Sequence, residues 1–317
     1  MVPALGADTA GEAGRFGHGE GYAGAMPYAT HGSVELFYDT TGDADDPPVV
    51  LVAGLGQQMI GWETDAVRDL ADQGHFVVRF DNRDVGLSTK LSGEVSLMSV
   101  LSAAVTGRTP KVPYTLAEMA NDILSVMDHL AIERAHVVGV SMGGMIGQRF
   151  AIDTPQRLAS LTSIMSTTGS ILVGQSTPEA AAFAFGEPAT SPDEVIARTV
   201  DMLEVYWGPH HRDRERARKR AEAAFDRSFD PEGRNRQFAA MLADGDRTSF
   251  LSGVRAPTLV IHGEADPLIG VSGGRATADA IPHAKLVTFP TMGHDIPPAL
   301  WPEIRDVMTA HFAGRSA

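Results

Sequence analysis

The run Gly139-Val140-Ser141-Met142-Gly143 places a serine between two glycines. As a bare G-x-S-x-G pattern it has little weight, because both residue types are common. The context adds to it: an apolar strand leads in and a helix opens immediately after, which puts the serine on a sharp turn with its hydroxyl above the sheet edge. Gly139, Gly143 and the adjoining Gly144 remove side chains that would clash in so tight a turn. The Met142 amide then lies at a helix N-terminus, where partial positive charge favours a developing oxyanion. The ordinary alternative is a glycine-rich strand–helix turn with no chemistry.

A serine hydroxyl is a weak nucleophile near neutral pH and needs a base. His294 is the best placed, in Thr291-Met292-Gly293-His294-Asp295, after the last strand and before the last helix. His262 is its nearest rival and reads as structural. His210 and His211 are neighbours without HExxH or comparable ligand spacing, so they do not predict a metal site. A carboxylate should orient the imidazole. Asp266, in His262-Gly263-Glu264-Ala265-Asp266-Pro267, is the expected partner, with Glu264 two residues away as a competitor. A second oxyanion donor is expected from Val52-Ala53-Gly54-Leu55-Gly56, through the Leu55 N–H. Gly54-Leu55-Gly56 also begins like a dinucleotide fingerprint, with Asp81 ending the next strand, but Met59 stands where the third glycine belongs.

These residues need a scaffold, and the pattern supplies one. Val34–Tyr38 alternates like a half-buried strand. Pro48–Val52, a helix over about 62–73 and His75–Phe80 form a βαβ unit, which predicts a parallel right-handed crossover. A helix over 116–130, the strand Ala135–Val140, a helix from Met142 to about Ile152 and the strand Leu161–Met165 repeat the rhythm. Thr258–His262, Lys285–Phe289 and a helix over about 298–312 close it. The fold class is α/β: a mostly parallel sheet with helices on both faces. Residues 171–250 break the rhythm, looking all-helical and carrying Phe183, Phe185, Tyr206, Trp207, Phe225, Phe229 and Phe238. They read as an inserted lid, with 27–170 and 251–317 as the core. The long loop from Lys90 to Tyr114, apolar at Leu97, Met98 and Leu101, is expected to border the site.

The bulk numbers set limits. The chain has 317 residues, 43% of them hydrophobic, enough for a sizeable core. Residues 1–26 carry seven glycines and read as a disordered tail, with Met26 as an alternative start. No apolar stretch approaches the roughly 20 residues that span a bilayer, and the tail does not resemble a secretory signal. With no cysteine, disulfides and thiolate chemistry are excluded, and a cytoplasmic location is expected. A net charge of −14 argues against nucleic acid and anionic membranes as partners. The basic run His211–Arg220 is interleaved with acids and reads as a solvated, ion-paired helix face.

Gly139-Val140-Ser141-Met142-Gly143-Gly144, Phe80-Asp81-Asn82-Arg83-Asp84-Val85-Gly86-Leu87-Ser88, His262-Gly263-Glu264-Ala265-Asp266 and Gly293-His294 together resemble the α/β-hydrolase superfamily, nearest its lipase and carboxylesterase branch with aclacinomycin methylesterase-like proteins. The likeness covers about residues 28–315. It implies Ser141 as nucleophile, His294 as base, Asp266 as its partner, and Leu55 and Met142 as oxyanion donors. It also implies that Asp81–Ser88 is a structural turn with Arg83 in a polar network. Ser141 argues against the relatives that use an aspartate nucleophile, the haloalkane dehalogenases and epoxide hydrolases. Many relatives have His-Gly where this chain has Ala53-Gly54, so the bonds shaping the oxyanion loop must differ.

Met59, Ile60, Trp62 and Met165, with the lid aromatics, predict a pocket for an apolar acyl or alcohol group. The expected activity is hydrolysis of short- to medium-chain esters, thioesters included, without cofactor or metal. The same triad also admits carbon–carbon bond hydrolysis or perhydrolysis, and a hydrolase-like binding protein is the reading from another class.

Overall fold

The computed structural model describes residues 27–106, 108, 110–185 and 191–314. The glycine-rich tail and the side chains of Leu101 and Phe185 lie outside what it describes. Three apolar runs form the middle of the sheet: β3 (Pro48–Val52), β4 (Phe76–Phe80) and β5 (Ala135–Val140). All five residues of β4 are buried, as expected for parallel strands covered on both faces. β6 (Leu158–Ile164), β7 (Thr258–Gly263) and β8 (Lys285–Phe289) continue in parallel.

Two further strands extend the other edge. β2 (Val34–Thr41) alternates between buried and exposed positions and pairs antiparallel with β4. β1 (Tyr28–His31) pairs antiparallel with β2. The eight-stranded order is β1-β2-β4-β3-β5-β6-β7-β8. β1 was not expected: four residues, YATH, are too few to show a period.

Helices α1 (Thr64–Asp72), α2 (Leu97–Val105), α3 (Leu116–His129) and α4 (Met142–Asp153) lie in the first half. α3 begins at a capping box, in which Thr115 and Glu118 satisfy each other's amides. The Lys90–Tyr114 stretch is therefore not all loop. α2 lies within it, with Met98 76% exposed. β6 starts at Leu158, earlier than its apolar run suggests, because Leu158 pairs with Ala135.

Between β6 and β7 the described chain is helical: α5 (Pro178–Phe185), α6 (Pro192–Tyr206), α7 (Arg214–Arg227), α8 (Pro231–Asp244) and the short α9 (Thr248–Leu251). This insertion has a small core of its own, built on Val200, Trp207, Ala217 and Ala221. α10 (Ser272–Ala280) and α11 (Trp301–Phe312) complete the chain. α10, rich in small residues, shows too little apolar periodicity to be read from sequence. Among the described residues no helix is long and apolar enough to cross a membrane.

Candidate active site

β5 ends at Val140 and α4 begins at Met142, so Ser141 alone makes the turn. Its φ of 55° and ψ of −119° are unfavourable for a residue with a side chain, and persist only where the surroundings over-determine them. Here the Ser141 N–H donates to Ile164 O at 2.9 Å, and Ser166 Oγ donates to Ser141 O at 2.8 Å. The glycines fit as expected. A Cβ on Gly139 would lie 2.1 Å from Gly143 O, and one on Gly143 would lie 2.2 Å from Val52 O. Strand β3 and the elbow are therefore in backbone contact, which brings the Gly54 loop beside the serine.

His294 Nδ1 lies 2.7 Å from Asp266 Oδ2. The other carboxylate oxygen accepts the Leu268 and Ile269 amides at 2.8 and 2.9 Å. Burial alone would raise the Asp266 pKa. The charge on His294 and the bonds from His262 and His294 outweigh it and bring the pKa down to about 2, so the group is an anion able to stabilise imidazolium. Glu264, the competitor, is exposed and accepts from Thr288 Oγ1. His262 is fully buried, with Nε2 2.7 Å from Ile269 O. It braces the turn that carries Asp266.

Ser141 and His294 line one cleft of about 3030 Å³ beneath the helical insertion. They are not hydrogen-bonded to each other, a common state before substrate tightens the geometry. Leu55 borders the same cleft, and Met142 is the first residue of α4. Among the described residues neither of these two amides has a protein acceptor. Both can therefore donate to an oxyanion.

The Ala53-Gly54 departure has a structural counterpart. Gln57 Oε1 accepts the Gly54 N–H at 3.3 Å, and Gln237 Oε1, from α8, accepts the Gly56 N–H at 2.8 Å. Asp81 Oδ1 accepts the Met59 N–H at 2.8 Å, and Asn82 Nδ2 donates to Ala53 O at 3.1 Å. Asp81 is fully buried, also accepts the Leu87 amide and pairs with Arg227 at 2.7 Å. Its role is to shape the loop, the reverse of an acid that reads a ribose. Arg83 bonds both oxygens of Asp122 at 2.7 Å.

The expected pocket residues divide. Met59 and Ile60 line the cleft. Trp62 and Met165 do not: each is 4% exposed and belongs to the buried core cluster that also holds Val67 and Leu70 of α1 and Ile304 and Met308 of α11. Position near the site in sequence did not decide which way these two side chains point. The basic run also has two faces. Lys219 and Arg218 make exposed pairs with Glu215 and Glu222, as expected. Arg216 and Arg220 turn inward onto Asp295, beside His294, and Arg216 stacks over Trp207 at 4.4 Å. No periodic signal marks those two, because their partner lies some 80 residues away.

Residues 47–297 match the family model of the α/β hydrolase fold. The chain belongs to that family. This α/β hydrolase is 30% identical over 307 residues to rhodomycin D methylesterase of a Streptomyces species (strain C5), covering 89% of this chain and 96% of the relative. It is 28% identical to 3-oxoadipate enol-lactonase 2 of Acinetobacter baylyi, covering 80% of this chain and 84% of that one. Among solved structures, a hydrolase from Pseudomonas aeruginosa superposes with a TM-score of 0.68 at 26% identity, over 92% of this α/β hydrolase and all of that chain.

Proposed function

We propose that this α/β hydrolase cleaves carboxylic esters of small, largely apolar substrates through an acyl-enzyme on Ser141. The observation that carries the reading is the strained Ser141 elbow sharing a cleft with His294, whose Nδ1 lies 2.7 Å from the buried Asp266 carboxylate. His294 takes the Ser141 proton as Oγ attacks the carbonyl carbon, and Asp266 stabilises the imidazolium that forms. The Leu55 and Met142 amides hold the tetrahedral oxyanion. Collapse expels the alcohol, which leaves with the proton from His294. Water, deprotonated by His294, then releases the acid and restores Ser141. No step needs a metal or a cofactor.

Relatives that include a methylesterase and an enol-lactonase support ester-type bonds as the target. Met59, Ile60, Met202 and Phe238 along the cleft support an apolar substrate body. The helices between β6 and β7 act as the lid, and the rest of the described chain as the core. The test is a fluorophosphonate probe with a p-nitrophenyl ester series, run on the wild type and Ser141→Ala. Wild-type labelling and turnover, with loss of roughly 10³- to 10⁶-fold in the variant, is the expected result. Labelling without ester turnover would move the reading to carbon–carbon cleavage, perhydrolysis or a binding role. Absence of labelling would overturn the assignment of Ser141.

A further inference from the structure

Arginines in and around the cleft are matched with acids almost throughout. Arg216 and Arg220 meet Asp295, Arg227 meets Asp81, and Arg236 meets Asp84 at 2.9 Å. Arg234, two residues before Arg236 on α8, is different. It lines the cleft that holds Ser141 and His294. Its stem lies across the oxyanion loop, where a Cβ on Gly56 would come 3.1 Å from its Cγ and 3.3 Å from its Cδ. Among the described residues it has no hydrogen-bond or ion-pair partner, and the groups that act on it electrostatically are Tyr206 and Arg198.

Such an arrangement leaves the guanidinium facing the cleft without a protein counter-charge among the described residues. A guanidinium keeps its charge in proteins, and Arg234 is half-buried in the cleft wall, where a charge partly withdrawn from water gains from a counter-charge or hydrogen bonds. Burial, with Arg198 adding repulsion, pushes the Arg234 pKa below its ordinary value. Gly56 backs the stem of Arg234, and among the described residues no carboxylate acts on its cation. Tyr206, on the adjoining wall, has its ring 6.2 Å from that of His294, so the cation, the phenol and the catalytic histidine border one space.

We propose that Arg234 is the docking point for a carboxylate on the substrate, remote from the scissile carbonyl, so that the preferred substrates are carboxylate-bearing esters with an apolar body. This inference rests on the ester-hydrolase reading and names its substrate class. A planar fork of N–H donors suits bidentate recognition of a carboxylate. The bond broken remains the ester: the carboxylate orients the substrate and takes no part in the proton transfers.

The experiment compares monomethyl esters of the dicarboxylic acids from succinate to sebacate with the corresponding neutral dimethyl esters. In the wild type at least one half-ester should exceed its diester in kcat/KM. In Arg234→Gln that ratio should fall about 10- to 100-fold, the value of one charge-assisted hydrogen bond in a partly desolvated site. Arg234→Lys, which keeps the charge and loses the fork, should keep part of the preference. The same pairs are titrated calorimetrically into Ser141→Ala, with and without Arg234→Gln, which reads recognition independently of turnover. Tighter half-ester binding that Arg234→Gln abolishes supports the inference even where no ester is cleaved and the ester-hydrolase reading fails. Diesters cleaved or bound as well as half-esters by the wild type, or a ratio that Arg234→Gln leaves unchanged, would overturn it.

Discussion

The His294 N–H donates to the carbonyl of Tyr206 at 2.6 Å. One residue to each side, a Cβ on Gly293 would meet Trp207 O at 2.3 Å, and Asp295 carries Arg216 and Arg220 from α7. His294, the proposed base, is therefore placed by two parts of the chain: Asp266 from the sheet and the end of α6 from the helical insertion. Under the proposed mechanism, the helices of the insertion thus help to position the loop that carries the base.

Removing the charge from that insertion should loosen the base. Arg216→Met leaves Asp295 with Arg220 alone and Glu63 without its closest partner. Loss of one arm of a largely buried network should cost about 1–3 kcal/mol, read as a lower Tm. kcat should fall by more than KM changes, because the base is displaced while the cleft walls remain. An unaltered Tm and kcat would show that α7 merely rests on the loop.

Asp266→Asn should keep the fold and lose most of the activity. In the proposed mechanism the residue orients His294 and stabilises its protonated form, and an amide there favours the wrong tautomer. A fall of about 10⁴-fold in kcat is expected, with slow fluorophosphonate labelling and an unchanged far-ultraviolet circular dichroism spectrum. Activity within tenfold of the wild type would show that another acid serves His294.

The same carboxylate links stability to acid. Its folded pKa of about 2 lies below its ordinary 3.8. The folded state therefore gains from ionised Asp266 above about pH 4, and the gain is lost as pH falls towards 2. Urea unfolding of wild type and Asp266→Asn at about pH 5 and pH 2.5 should show the difference narrowing by about 1–2 kcal/mol. A constant difference would refute the depressed pKa.

His136 acts in a higher window. Burial, reinforced by repulsion from His75, His311 and Arg134, lowers its pKa from 6.5 to about 4. Its Nδ1 is 2.8 Å from Ser160 Oγ, and its ring packs on Phe312 at 4.7 Å. Between pH 6.5 and 4 the unfolded chain binds a proton there that the folded chain refuses, so stability falls as pH falls. His136→Gln should flatten that part of the Tm–pH curve, and equal slopes in both proteins would contradict the assignment.

The elbow tolerates no added methyl group. A Gly143→Ala side chain would meet Val52 O and Ala53 O, both backbone, at 2.2 and 2.8 Å. The oxyanion strand would have to move, costing about 1–3 kcal/mol and about 100-fold in kcat for a displacement near 1 Å. Gly253→Ala is the control, since its Cβ would come no nearer than 3.3 Å, to Phe250 O. A Gly143→Ala enzyme as active as that control would mean the two backbones can separate freely.

The strand–serine–helix turn at 141, the parallel runs β3, β4 and β5, and the helical insertion were legible because each rests on local rules: short apolar runs, turn glycines and helical periodicity act between near neighbours in sequence. The positions of Asp266 and His294 followed from strand ends, which order the chain along one sheet edge. Other features were decided by contacts across the fold. Asp266 and Glu264 stand two residues apart, and only the direction of each side chain in the folded turn gives one to His294 and the other to Thr288. Trp62 and Met165, apolar and close to the site in sequence, went to the core cluster that strands, α1 and α11 build together. Gln237 reaches Gly56 across 181 positions, and Arg234 parts company with Arg236 because residues two apart on a helix project from nearly opposite sides of it. A local pattern states which side chains can turn inward. The packing of distant segments determines what each one meets there.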